Sequence, residues 1–154
     1  MKTSDIFGKN LIIPALKSSD KSGIIEELAD YLVGEGVIKD KKALVNALQE
    51  REKLGSTGIG DNIAIPHAKS AEVDTVIALF ARSKKGISFD SLDGKPVNYI
   101  FLLIAPTQSG GDHLKAMAKI SKMLKGEEFR RKLLTASDSQ ELYQAIVDEN
   151  EKII

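Results

Sequence analysis

Two apolar runs constrain this chain most: TVIALFARS from Thr75 and VNYIFLLIAP from Val97. A strand with one wet face alternates apolar and polar residues, whereas these runs are almost continuously apolar, so both of their faces must be covered. Such strands lie at the centre of a sheet with helices packed on each side. The remaining sequence supplies those helices. Behind Asp20, a good capping residue, Ile24, Ile25, Leu28 and Leu32 recur at helical spacing until Gly34 or Gly36 stops them. Asp40 begins a second helix in which Leu44, Leu48 and Arg51 share one side, so an arginine continues the apolar stripe before KLGSTGIGDN breaks the helix. In the last third, Asp112 is a candidate cap for residues 113–125, Gly126 interrupts, and Ser137 with Gln140 has capping-box spacing for a helix to about Asn150. NLIIPAL reads as a short first strand, and KKGISFDSLDGKPV offers Gly86 and Asp93-Gly94 as turn signals around a short exposed strand. No repeat or linker divides residues 1–154, so the expectation is one domain. Its fold class is α/β, a three-layer α/β/α sandwich around a mixed, mostly parallel sheet of about five strands.

Chemistry concentrates at the ends of these strands. In NIAIPHAKS, Pro66 cannot donate to a sheet ladder, so the run Ile63, Ala64, Ile65 should end there and leave His67 just beyond it. Open α/β sheets collect ligands at such ends. The chain has two histidines. The second, His113, follows the other strand end at Pro106 and opens a helix, where the positive helix end favours a neutral imidazole and an anion. Between Arg51 and His67, the loop Gly55, Ser56, Thr57, Gly58 supplies permissive backbone and two hydroxyls suited to a phosphate, although it is no Walker A loop because no Gly-Lys-Ser/Thr follows.

Composition narrows the field further. Lysine plus arginine and aspartate plus glutamate each number 22, so no global charge draws the chain to nucleic acid or an anionic membrane. With no cysteine there are no thiolate metal sites or cysteine nucleophiles, and two histidines without a third nitrogen or sulfur ligand in sequence range make zinc a poor fit, with carboxylates from Asp61 or Asp112 left as the candidates to complete a site. No apolar run approaches the roughly 20 residues that span a bilayer. The expectation is a cytoplasmic protein without metal, cofactor, nucleic-acid partner or membrane insertion.

The string REKLGSTGIGDNIAIPHAKS, residues 51–70, closely resembles the phosphorylation-site signature of the enzyme IIA domains of the bacterial phosphoenolpyruvate-dependent sugar phosphotransferase system, in the fructose/mannitol family. The likeness continues through VIALFARSKKGISFDSLDGKPVNYIFLLIAP, HLKAMAKISKMLKGEEFRRKLL and ELYQAI. It implies an α/β/α sandwich and a phosphocarrier without cofactor or metal. The histidine matching His67 accepts a phosphoryl group from the phosphocarrier protein HPr and passes it to a cysteine of an enzyme IIB, and through it to a membrane enzyme IIC. The resemblance also implies that His113 and Arg51 assist; the loop chemistry adds Ser56, Thr57 and Gly58 as expected phosphate-loop support. Because this chain has no cysteine, the IIB is expected to be a separate polypeptide, and 154 residues leave no room for a fused HPr. Ile59 and Ala68 are expected to lie on the transient docking surface. FARSKKGISFDSLDG looks like the fructose branch; the alternative is the nitrogen-regulatory branch, in which phosphorylation of the same histidine controls target binding.

Overall fold

The computed structural model describes residues 7–108 and 111–152. In chain order these form β1 (Phe7–Ile13), α1 (Lys21–Gly34), α2 (Lys41–Lys53), β2 (Gly58–Gly60), β3 (Ile63–Ala64), β4 (His67–Lys69), β5 (Ile77–Ile87), β6 (Val97–Ala105), α3 (Gly111–Met123), α4 (Glu127–Thr135) and α5 (Ser139–Lys152). The sheet has six strands in the order β1-β5-β6-β3-β2, with β4 also on β6. It is mixed: β1 with β5, β3 with β6 and β4 with β6 are parallel, while β5 with β6 and β2 with β3 are antiparallel.

The two apolar runs are β5 and β6, paired at the centre. Their side chains divide by strand alternation. Leu79, Ala81, Ile100, Leu102 and Ile104 face a core completed by α1 and α2, through residues such as Ile25, Leu28 and Leu48. Ala78, Phe80, Phe101 and Leu103 face the other core, completed by α3, α4 and α5 through Ile120, Phe129 and Ile146. A helix layer therefore covers each face, which is the three-layer sandwich. Each fully buried Leu, Ile or Phe contributes about 1.5–3 kcal/mol, so these two cores dominate the stability.

Local signals set most boundaries. Asp20 accepts from Gly23 N–H and Asp40 from Ala43 N–H, capping α1 and α2. Gly36 at φ +75° ends α1, with its N–H on Val33 O and that of Val37 on Leu32 O, a Schellman arrangement. Four expectations need correction. The sheet gains a sixth strand because Pro66 interrupts pairing only briefly, and His67–Lys69 resumes it along β6. Gly86, at φ +85°, does not end β5 but accommodates an irregularity within it, and the segment beyond is not an exposed strand, since Ile87 and Phe89 are buried. The final helix is capped one residue later than expected: Asp138 accepts from Glu141 N–H, and the Glu141 carboxylate accepts from Ser137 N–H. Asp112 lies within the first turn of α3, which already begins at Gly111. Part of the TQSGGD loop, residues 109–110, lies outside the described residues. Among the described residues no helix is long and apolar enough to cross a membrane.

Arg82 in β5 is only 1% exposed and, among the described residues, forms no salt bridge. Its Nε donates to Pro14 O at 2.9 Å, and Nη1 reaches the carbonyls of Leu133, Leu134 and Ala136. A guanidinium so placed satisfies the last turn of α4, where a cation is electrostatically favoured, and ties it to the chain leaving β1. Arg82→Met should therefore lower unfolding free energy by about 3 kcal/mol in urea titration, because buried carbonyls lose a charged donor. A loss below about 0.5 kcal/mol, the range of ordinary surface changes, would mean that the Arg82 bonds contribute little.

Candidate phosphotransfer site

Three elements converge on one cleft. Arg51 comes from the last turn of α2, His67 opens β4, and His113 lies in the first turn of α3. The cleft is also lined by Ala47, Glu50, Leu54, Ala68 and Lys69. Parallel pairing of β4 with β6 sets His67 opposite Leu103, and Pro66 O accepts from Leu103 N–H at 3.0 Å. Pro66 thus lacks a donor but still offers an acceptor, which is how the sheet continues past it.

The hydrogen bonds of His67 determine its tautomer. Arg51 Nε lies 3.1 Å from His67 Nε2, and a guanidinium can only donate, so Nε2 must be the accepting nitrogen. The proton then resides on Nδ1, which donates to Ile65 O at 3.0 Å. This is a neutral imidazole with its lone pair toward the cleft. Arg51 is held in turn by a 2.9 Å bond from Nη1 to Gly55 O, so it both satisfies the helix end and reaches the site.

The His113 ring is 5.1 Å from that of His67, centroid to centroid, and tilted by 50°. Among the described residues its buried Nδ1 has no hydrogen-bond partner. Burial pushes the His113 pKa below its ordinary 6.5, and the neighbouring His67 and Lys69 push in the same direction.

The loop residues are committed elsewhere. Ser56 Oγ donates to Phe89 O and accepts from Gly58 N–H, while Thr57, 4% exposed, donates from both N–H and Oγ1 to the Glu52 carboxylate. Gly58 has no room for a Cβ, which would fall 2.5 Å from Ser91 Oγ. None of the three lines the cleft. Of the two residues expected at a docking surface, Ile59 is exposed but Ala68 is buried, because alternate residues of β4 point into the α1/α2 core. The large exposed apolar residues beside the histidines are instead Leu54, at 85% exposure, and Leu114, at 66%. Leucine alone gives no sequence signal; only its place next to Arg51 or His113 could have marked them. Among the described residues no group of three or more His, Asp or Glu side chains is arranged to hold a metal ion.

His113 makes stability depend on pH with a definite sign. Its native pKa lies below the ordinary 6.5, so below that pH the unfolded chain takes up a proton that the native state resists. Stability falls as pH drops from 6.5 toward the native value, and above 6.5 this group contributes no slope. Urea midpoints measured from about pH 7.5 to 5 should decline less steeply for His113→Gln than for the parent. Parallel curves would show that His113 is solvated like a free imidazole.

The profile of the family described as "Phosphoenolpyruvate-dependent sugar phosphotransferase system, EIIA 2" matches residues 5–149. The chain is 38% identical over 146 residues to a nitrogen regulatory protein of Bradyrhizobium diazoefficiens, covering 95% of each. It is 40% identical over 128 residues to the fructose-specific EIIA component of Haloferax volcanii, covering 83% of each. The crystal structure of nitrogen regulatory protein IIA-Ntr from Neisseria meningitidis superposes with a TM-score of 0.85 at 31% identity, over 93% of this chain and 97% of that one. The cleft that joins Arg51, His67 and His113 thus lies in a member of a phosphotransferase family: the chain belongs to the EIIA 2 family of the phosphoenolpyruvate-dependent sugar phosphotransferase system.

Proposed function

We propose that this chain is a phosphohistidine carrier that takes a phosphoryl group from phospho-HPr on His67 Nε2 and hands it to a cysteine of a separate enzyme IIB, serving uptake of a fructose-type sugar. The observation that carries the reading is the pair of bonds at His67: Nδ1–H to Ile65 O, and Nε2 accepting from Arg51. They leave a single nucleophilic nitrogen, facing a cleft that a partner can reach. In the transfer, the Nε2 lone pair attacks phosphorus while the P–N bond to the donor histidine breaks and its electrons leave with that ring. Positive charge appears on the His67 ring, and the Nδ1–H bond to Ile65 O stabilises it.

Arg51 has two duties in this cycle. At rest it occupies the Nε2 lone pair, and the incoming phosphorus must displace that bond. The guanidinium then donates to phosphoryl oxygens while Nη1 keeps its hold on Gly55 O. Phosphoryl transfer gains mainly from such positioning and charge balance around a loose transition state. His113 contributes a neutral ring against the acceptor, able to donate to a phosphoryl oxygen without adding a competing full charge. Ser56, Thr57 and Gly58 support the site by shaping the loop rather than by touching phosphate.

A second output is favoured by one observation, the 38% identity to a nitrogen regulatory protein along 95% of both chains. In that reading the same phosphohistidine controls binding to a target protein, and no IIB receives the phosphate. Incubation with phosphoenolpyruvate, enzyme I and HPr, followed by candidate IIB proteins, separates the two. Onward transfer supports the transport reading, whereas target binding that changes with phosphorylation supports the regulatory one.

Intact mass at alkaline pH should show one acid-labile phosphate on the parent and none on His67→Ala. Uptake by His67→Ala at the parent rate would falsify the assignment. Arg51→Lys keeps the charge but loses the planar fork, and should slow transfer from phospho-HPr roughly ten- to hundredfold with a melting temperature near the parent's. An unchanged rate with a lowered melting temperature would reduce Arg51 to a helix-end residue.

A further inference from the structure

We infer that Glu52 is a positioning residue for His67, acting through Thr57 and Ile65, a role that rests on reading His67 as the phosphoryl acceptor. The carboxylate is almost enclosed, its side chain 7% exposed at the end of α2. Oε1 accepts from Thr57 N–H at 3.0 Å and Oε2 from the Thr57 hydroxyl. Thr57 O accepts from Ile65 N–H at 3.0 Å, and Ile65 O accepts from His67 Nδ1–H at 3.0 Å. On the other side of the imidazole, Nε2 accepts from Arg51, which precedes Glu52 in the chain and is anchored on Gly55 O. Gly55 N–H returns to Glu52 O at 3.1 Å. The hydrogen bonds therefore form a closed circuit that starts and ends on Glu52 and passes through both nitrogens of the acceptor ring.

Physical chemistry gives this circuit a direction. A buried carboxylate holding two donors of one residue fixes the place of Thr57, and the Thr57 carbonyl in turn fixes Ile65 through its N–H, so the effect passes along the circuit as geometry. The Ile65 carbonyl is consequently held as an acceptor at Nδ1, which keeps the proton there and the lone pair at Nε2. The carboxylate is itself balanced by Lys21, whose Nζ lies 2.8 Å from Oε1 and 4.7 Å from the centroid of the Phe89 ring. Ser56 Oγ ties the same loop to Phe89 O. Neither Glu52 nor Thr57 lines the cleft, so neither touches a phosphoryl group directly.

The test reads the His67 tautomer by ¹⁵N NMR of the full chain near neutral pH, alongside the rate of phosphoryl uptake from phospho-HPr. The parent should show one tautomer, protonated at Nδ1. Glu52→Gln replaces one acceptor oxygen by a donor, and Thr57→Val removes only the hydroxyl; both should admit the Nε2–H tautomer and slow uptake by about tenfold. Thr57→Ser restores the hydroxyl and should restore both readouts. If Glu52→Gln loses its cooperative melt, the Thr57→Val and Thr57→Ser pair decides the matter alone. A single Nδ1–H tautomer in folded Glu52→Gln or in Thr57→Val, or an unchanged uptake rate despite mixed tautomers, overturns the role of Glu52. Failure of the parent to take up phosphate would overturn the carrier reading instead, and the tautomer measurement does not depend on it.

Discussion

The whole arrangement depends on β6 being bonded along both edges and covered on both faces. A strand with every residue from Tyr99 to Ala105 buried has no water to satisfy its backbone, so each N–H and C=O must find a neighbouring strand. On one edge the long strand β5 meets this need; on the other it falls to the short pieces β3 and β4. Strands of two and three residues have little stability of their own. They are held because β6 requires partners, and that requirement puts His67 opposite Leu103. The His67 ring is thus attached to a strand buried without a break from Tyr99 to Ala105, although the ring itself is only half-buried.

Apolar continuity and helical caps are local properties, and for that reason the central strands, α1 and α2 could be read directly from the sequence. The same holds for Gly126, where α3 gives way to α4. The misread features were those decided by partners distant in the chain. Pro66 carries the sequence signature of a strand end, yet its carbonyl remains free to accept from Leu103, and pairing resumes one residue later. GSTGIGDN was read as loop, yet it contains β2 and a two-residue turn in which Asp61 and Asn62 both adopt positive φ, as a tight hairpin demands. Arg82 interrupts an otherwise apolar run. Its burial follows only from the carbonyls of Pro14 and α4, which lie more than 50 residues away in sequence.

The site shows a similar division. His67, His113 and Arg51 were visible as residue types at strand and helix ends, and the structure gathers all three in one cleft. Arg51 serves two neighbours at once: Nη1 holds the chain after α2 while Nε faces His67. Ser56 and Thr57 had the right chemistry for a phosphate but different neighbours. An adjacent carboxylate, Glu52, competes for the Thr57 donors at hydrogen-bonding distance, and a fixed internal acceptor outcompetes an intermittent ligand. Glu52 itself carried no signal, since a glutamate at the end of a polar helix reads as a solvated surface residue.

Charge decides how the cleft can serve both states of the proposed cycle. Arg51, Lys69 and the two histidines crowd one side of the molecule, and a protonated His113 would add to that crowd in a poorly solvated position. Its lowered pKa removes this difficulty in the resting state by keeping the ring neutral. The guanidinium meanwhile needs acceptors, and at rest it finds them in Gly55 O and the His67 lone pair. In the proposed phosphorylated state that lone pair is consumed by the P–N bond, and the same donor is left without its partner at the moment when phosphoryl oxygens arrive beside it. One bond is exchanged for another of higher charge, with Gly55 as a fixed pivot. A lysine cannot make this exchange, because it has no second donor held in a rigid plane to keep the anchor while the first one turns.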